Sequence, residues 1–137
     1  MRKTYAFFLS TFIFSVAEAQ YCTNVGPTSD VDSNVESVQL TGEIGGINYT
    51  GCPGVLGLQD LTSLGTTLNA GDSYSISVKF GTCQGNYGGA GTVWIDFDQS
   101  GSFDVSETIG TWVGTPLVAT SVFNFTVPAG AQNGTTR

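Results

Sequence analysis

The chain contains no histidine, and only four of its 137 residues are lysine or arginine. Without histidine it cannot run Ser-His-Asp or Cys-His chemistry, and it lacks the commonest general base. A Cys/His zinc site is excluded too, because Cys22, Cys52 and Cys83 lie too far apart in sequence for the close pairs of a zinc ribbon. Eleven acidic residues against four basic ones give a net charge of −7. Such a balance repels phosphate backbones and anionic membrane surfaces and favours divalent cations. Nucleic acid is therefore not an expected partner. Lys, Arg and Glu, the usual exposed-helix residues, are scarce, and no segment keeps a helical period.

Long apolar runs are missing as well, apart from the amino terminus. Arg2 and Lys3 precede an uncharged, largely apolar stretch over residues 4–17, and Ala17 and Ala19 supply the small residues that a signal peptidase reads. This pattern predicts a secretory signal peptide at residues 1–19 and a mature domain at residues 20–137, without membrane insertion. Lys79 and Arg137 then remain as the basic side chains against ten acidic ones. In an exported chain the cysteines are expected in a disulfide. Cys22 with Cys52 is the preferred pair, closing a loop of about thirty residues and adding about 2–4 kcal/mol, with Cys83 left unpaired.

What is abundant is glycine, at 19 residues, together with Ser, Thr and Val. This is an all-β composition. Alternation places strands at residues 35–40, 74–80, 92–97, 108–113 and 121–127, with a short one at 58–61. Residues 42–46 read as a break and 68–72 as a turn. Tyr74, Ile76, Val78 and Phe80 share one face, as do Phe123, Phe125 and Val127. The expected architecture is an Ig-like or jelly-roll-type β-sandwich of about six or seven antiparallel strands.

The chemistry concentrates in residues 96–107. Asp96, Asp98, Ser100, Asp104 and Glu107 occupy positions 1, 3, 5, 9 and 12 around Gly101 at position 6, the spacing of a calcium-binding loop. Calcium is the cofactor expected, in a structural role, since so many protein oxygens leave little room for a substrate. No EF-hand helices flank the loop, and the same residues also suit a polar hairpin turn held by local hydrogen bonds. Four carboxyl groups in one turn fit a cation better than a sugar between two separated carboxyls, so catalysis is not expected.

Among Tyr49, Tyr87, Trp94 and Trp112, the candidates for exposed ligand contact are Tyr87 and Trp112. Trp94 and Phe97 alternate around a strand, so one of them faces the core. Asn48, Asn124 and Asn133 each begin a glycosylation triplet, which matters only in a eukaryotic secretory route.

Several of these features in order resemble the GEVED domain of secreted and cell-surface bacterial proteins. The resemblance runs from Tyr21-Cys22 through Asn48 to Cys52 and the Ala70-Gly71 turn. It continues over Val93-Trp94-Ile95-Asp96-Phe97-Asp98-Gln99-Ser100-Gly101-Ser102-Phe103 with Glu107, to Val127-Pro128 and Gly134-Thr135-Thr136-Arg137. The central run is similar to the family's V-W-I-D-[FW]-N-x-D-G-x-F block, with Asp98 in place of Asn and Ser100 in place of Asp. The family's Gly-Glu-Val-Glu-Asp stretch does not follow, which makes the chain an expected fragment of a longer protein. The resemblance also implies a cysteine in that further region as a partner for Cys83. It implies a non-catalytic extracellular module serving adhesion, contact with glycan or an extracellular protein, or spacing of neighbouring domains. The alternative is an accessory domain of a secreted hydrolase such as a metallopeptidase, its catalytic domain beyond Arg137.

Overall fold

The computed structural model describes residues 34–52, 59–83, 85, 87–115 and 120–137. The expected signal peptide and Cys22 lie outside these residues. Among the described residues, seven strands form two antiparallel sheets: β1 (Asn34–Thr41), β2 (Ile44–Thr50), β3 (Thr66–Thr67), β4 (Ser73–Gly81), β5 (Gly89–Trp94), β6 (Thr108–Gly114) and β7 (Ser121–Thr126). The larger sheet has the order β3-β2-β1-β4-β7, and the smaller is the β5-β6 hairpin. The chain leaves the larger sheet after β4, makes the hairpin, and returns as β7. The all-β sandwich expected from composition is therefore observed. Among the described residues no helix is long and apolar enough to cross a membrane.

The strict alternation of β4 explains its central place. Ile76, Val78 and Phe80 are buried, while Ser73, Ser75 and Lys79 face outward. β1 presents Leu40 and Val38 to the same side, paired with Ile76 and Val78, and β7 presents Phe123, Phe125 and the adjoining Val127. Each such buried side chain contributes about 1.5–3 kcal/mol over exposure. The outer face is polar, with Ser75 bonded to Asn124 at 2.5 Å and Ser73 to Thr126 at 2.8 Å across the β4–β7 pair.

The sheets meet where the smaller one carries glycine. A Cβ on Gly91 would lie 2.2 Å from the Phe80 ring, and one on Gly110 would lie 2.1 Å from the Phe123 ring. Two aromatic rings of the larger sheet thus seat directly on backbone of β5 and β6. Trp112 fills the space alongside, stacked on Phe80 with ring centroids 5.4 Å apart. Ile95 and Phe97, just past β5, complete the core and carry the chain into the acidic loop.

Two expectations about the strands need correction. Residues 42–46 are not simply a break, since β2 starts at Ile44 and pairs with β1 from Thr50 to Gly46. The described part of 58–61 contains no strand.

The expected Cys22–Cys52 bond is also corrected: Cys52 is joined to Cys83, with Cα atoms 5.6 Å apart. The reason is strand order. β2 and β4 flank β1 on its two sides, both antiparallel to it, so their C-terminal ends arrive together beside the start of β1. A bulge between Val35 and Ser37 leaves Glu36 unpaired in the ladder there. Its carbonyl accepts the Gly51 N–H at 2.8 Å and its Oε1 accepts the Cys83 N–H at 2.9 Å, fixing the two segments the disulfide joins. Lys79 Nζ completes this corner, 2.5 Å from Glu36 Oε2.

Candidate metal centre

The acidic loop connects β5 to β6, and its base is set by the hairpin. Beyond an irregularity at Val93 and Trp94, the Ile95 N–H donates to the Glu107 carbonyl at 3.1 Å, which places Asp96 and Glu107 side by side at the mouth of the loop. Asp96 is fully buried and Glu107 is 4 % exposed. Buried carboxylates need compensation, and here the loop backbone supplies it.

Asp96 Oδ1 accepts the Ser100 N–H at 3.1 Å, and its Oδ2 accepts the Gly101 N–H at 3.0 Å. Glu107 Oε1 accepts from Phe97 at 2.7 Å and Asp98 at 3.4 Å, while its Oε2 accepts the Asp104 N–H at 3.2 Å. Asp98 Oδ1 receives the Ser100 N–H at 3.0 Å in an Asx turn. Two positive φ angles, 54° at Gln99 and 81° at Gly101, let the backbone curl around these acceptors.

Three of the five expected ligands converge. Asp96, Asp98 and Glu107 each place a carboxylate oxygen within 4.8 Å of the other two. Oxygens on opposite sides of one calcium ion, each at about 2.3–2.6 Å, are separated by about 5 Å, so this spread fits a shared ion. An all-oxygen, anionic donor set suits Ca²⁺ or Mg²⁺ and not a soft metal.

The other two expected ligands are occupied elsewhere. Asp104 caps the short 3-10 helix Val105–Glu107, its Oδ1 accepting from the Ser106 N–H at 2.9 Å in a capping box with Glu107. Ser100 Oγ bonds to the Ser102 carbonyl at 3.2 Å, so this residue serves the loop through its amide and local contacts. A second acidic and sulfur cluster, Glu36 with Cys52 and Cys83, offers no thiolate, because both sulfurs are in the disulfide.

The carboxy-terminal segment takes a part that spacing did not reveal. The Asp96 N–H donates to the Arg137 carbonyl at 2.7 Å, the Thr136 hydroxyl donates to the Asp96 carbonyl, and the Gln132 N–H donates to the Phe97 carbonyl at 2.8 Å. Residues 132–137 therefore strap the loop from outside. Two of these contacts are backbone to backbone and the third is a single hydroxyl on a backbone carbonyl, so side-chain pattern carries no signal for them.

The two aromatic candidates differ in exposure. Tyr87 is 55 % exposed, whereas Trp112, expected at the surface, is half-buried against Phe80 because the β5-β6 hairpin turns that face inward. Of the alternating pair, Phe97 packs inward near Phe125. Trp94 lies outside, 41 % exposed and stacked on Phe103 at 5.8 Å over the acidic loop.

No curated protein and no solved structure matches the chain. A family model, the GEVED domain, matches residues 91–137. That span is narrower than the resemblance read from the sequence, which begins at Tyr21, but it holds the acidic loop, β6, β7 and the terminal strap. Over residues 91–137 the chain is similar to the GEVED domain.

Proposed function

We propose that the protein is a secreted, non-catalytic β-sandwich module whose β5–β6 loop binds calcium as a structural ion. Asp96, Asp98 and Glu107 are its side-chain ligands. The observation that carries this reading is the convergence of three carboxylates, two of them buried, within 4.8 Å at the mouth of one hairpin loop. Like charges this close repel one another, and the backbone donors offset only part of that repulsion. A divalent cation removes the remainder and ties both ends of the loop to one point.

The role follows from the position. The loop holds Ile95 and Phe97 against the core on one side and the 132–137 strap on the other, so an ion there stiffens one whole end of the sandwich. Adhesion, glycan contact or spacing between neighbours are the tasks such a stiffened extracellular module serves. The disulfide supports an oxidising compartment. The test is thermal melting in calcium and in chelator. Calcium in hundredfold excess over its Kd stabilises by about 2.7 kcal/mol and raises the Tm; an unchanged Tm would overturn the proposal.

A further inference from the structure

We infer that Asn133, exposed beside Gly134 in the strap over the Asp96 loop, is a site of spontaneous deamidation whose isoaspartate product loosens that strap. Of the seven asparagines in the chain, Asn133 alone is followed by glycine. Both residues lie at a bend and are exposed.

Glycine is required at this bend. Gly134 has φ +140°, a region that L side chains rarely adopt, and a Cβ there would come within 2.9 Å of the Gln99 amide. The missing side chain that lets the segment lie against Gln99 also leaves the Gly134 nitrogen unshielded. That nitrogen, after losing its proton to solvent base, attacks Cγ of Asn133. The new C–N bond closes a five-membered succinimide, the Cγ–Nδ2 bond breaks, and ammonia leaves. Water then adds to one of the two imide carbonyls. Opening one way gives aspartate; opening the other way gives isoaspartate, in which the main chain runs through Cβ and Cγ. Nothing is oxidised or reduced.

The position gives the reaction its consequence. Asn133 separates two sets of anchors. Upstream, the Gln132 N–H donates to the Phe97 carbonyl at 2.8 Å and Gln99 Nε2 donates to the Gln132 carbonyl at 3.3 Å. Downstream, Thr136 and Arg137 bond to the backbone of Asp96. Isoaspartate inserts a methylene into the main chain between the two sets, so both cannot stay in register.

The experiment ages the full chain, made without glycosylation, at mildly alkaline pH. Peptide mapping with isoaspartate detection follows residue 133, and NMR hydrogen exchange follows the Asp96 amide. The expected result is loss of the Asn133 amide well ahead of Asn69 and Asn124, with Asp96 exchange accelerating in step. Asn133→Gln should stay intact with slow exchange, and Asn133→Asp, which adds the charge but not the methylene, should exchange like the unaged parent. Conversion no faster at Asn133 than at Asn69 would overturn the inference. So would conversion that leaves Asp96 exchange unchanged, or an Asn133→Asp protein that exchanges as fast as the aged parent.

Discussion

Asp96 and Glu107 close the two ends of one loop and divide its backbone donors between them. Asp96 takes the amides of Ser100 and Gly101, and Glu107 takes those of Phe97, Asp98 and Asp104. Each buried carboxylate is therefore structural before any ion is considered, and the exposed Asp98 is the member of the triad that the fold needs least.

Glu107→Ala should consequently destabilise the protein even in chelator, by about 1–3 kcal/mol, because the amides of Phe97 and Asp104 lose their acceptor. Asp98→Asn keeps the oxygen that receives the Ser100 N–H and should change stability in chelator by less than about 0.5 kcal/mol. Urea unfolding of the two variants checks this. Equal losses in both would mean that Asp98 also holds the loop together.

Opening the Cys52–Cys83 bond by Cys83→Ser should lower stability by about 2–4 kcal/mol, since it frees the ends of β2 and β4 from one another. Reductant should bring the parent down to the level of the variant, measured by denaturant unfolding. A variant as stable as the oxidised parent would contradict the pairing.

The sheet interface gives a steric prediction. Gly110→Ala drives a methyl into the Phe123 ring and should lower stability by about 1–3 kcal/mol, whereas Gly130→Ala, with nothing within 4 Å of its Cβ position, should be near neutral. Thermal melting of the pair distinguishes a close-packed interface from a loose one.

The Glu36 carboxyl titrates below its ordinary value of 4.5, held down first by the hydrogen bond from Lys79, then by the N–H of Cys83, against the opposing effect of burial. A folded-state value below the unfolded one stabilises above about pH 4.5 and loses that contribution as pH falls through the lowered value. Lys79 is 45 % exposed, so solvent screening keeps the contribution small. The stability difference between the parent and Glu36→Gln should therefore shrink on acidification below pH 4.5. A gap that widens would contradict the ion pair.

Much of this architecture was legible because alternation reports burial directly. Residues 74–80 and 121–127 showed their core faces without ambiguity, as expected for strands covered on one side only. β2 was hidden for a physical reason: Gly45 and Gly46 carry no side chain to alternate, and Gly45 has φ +76°. The disulfide was hidden because its geometry depends on β1 lying between β2 and β4, which no local pattern encodes. In the acidic loop, spacing identified the residues able to converge. It could not tell that Asp104 would cap a helical turn or that Ser100 would bond to Ser102, since the same side chains satisfy local and shared partners equally well.

The central claim is tested most directly by calorimetric titration of the full chain with calcium, in parallel with Asp98→Ala, which removes the ligand oxygen while the Ser100 N–H keeps Asp96 Oδ1 as its acceptor. Saturable binding in the range of about 10⁻⁴–10⁻³ M, typical of extracellular sites, and its loss in a variant that remains folded, is the predicted result. No binding by the folded parent across that range, or equal binding by the variant, would contradict the proposed site and leave Asp96, Asp98 and Glu107 as the fasteners of a polar hairpin turn.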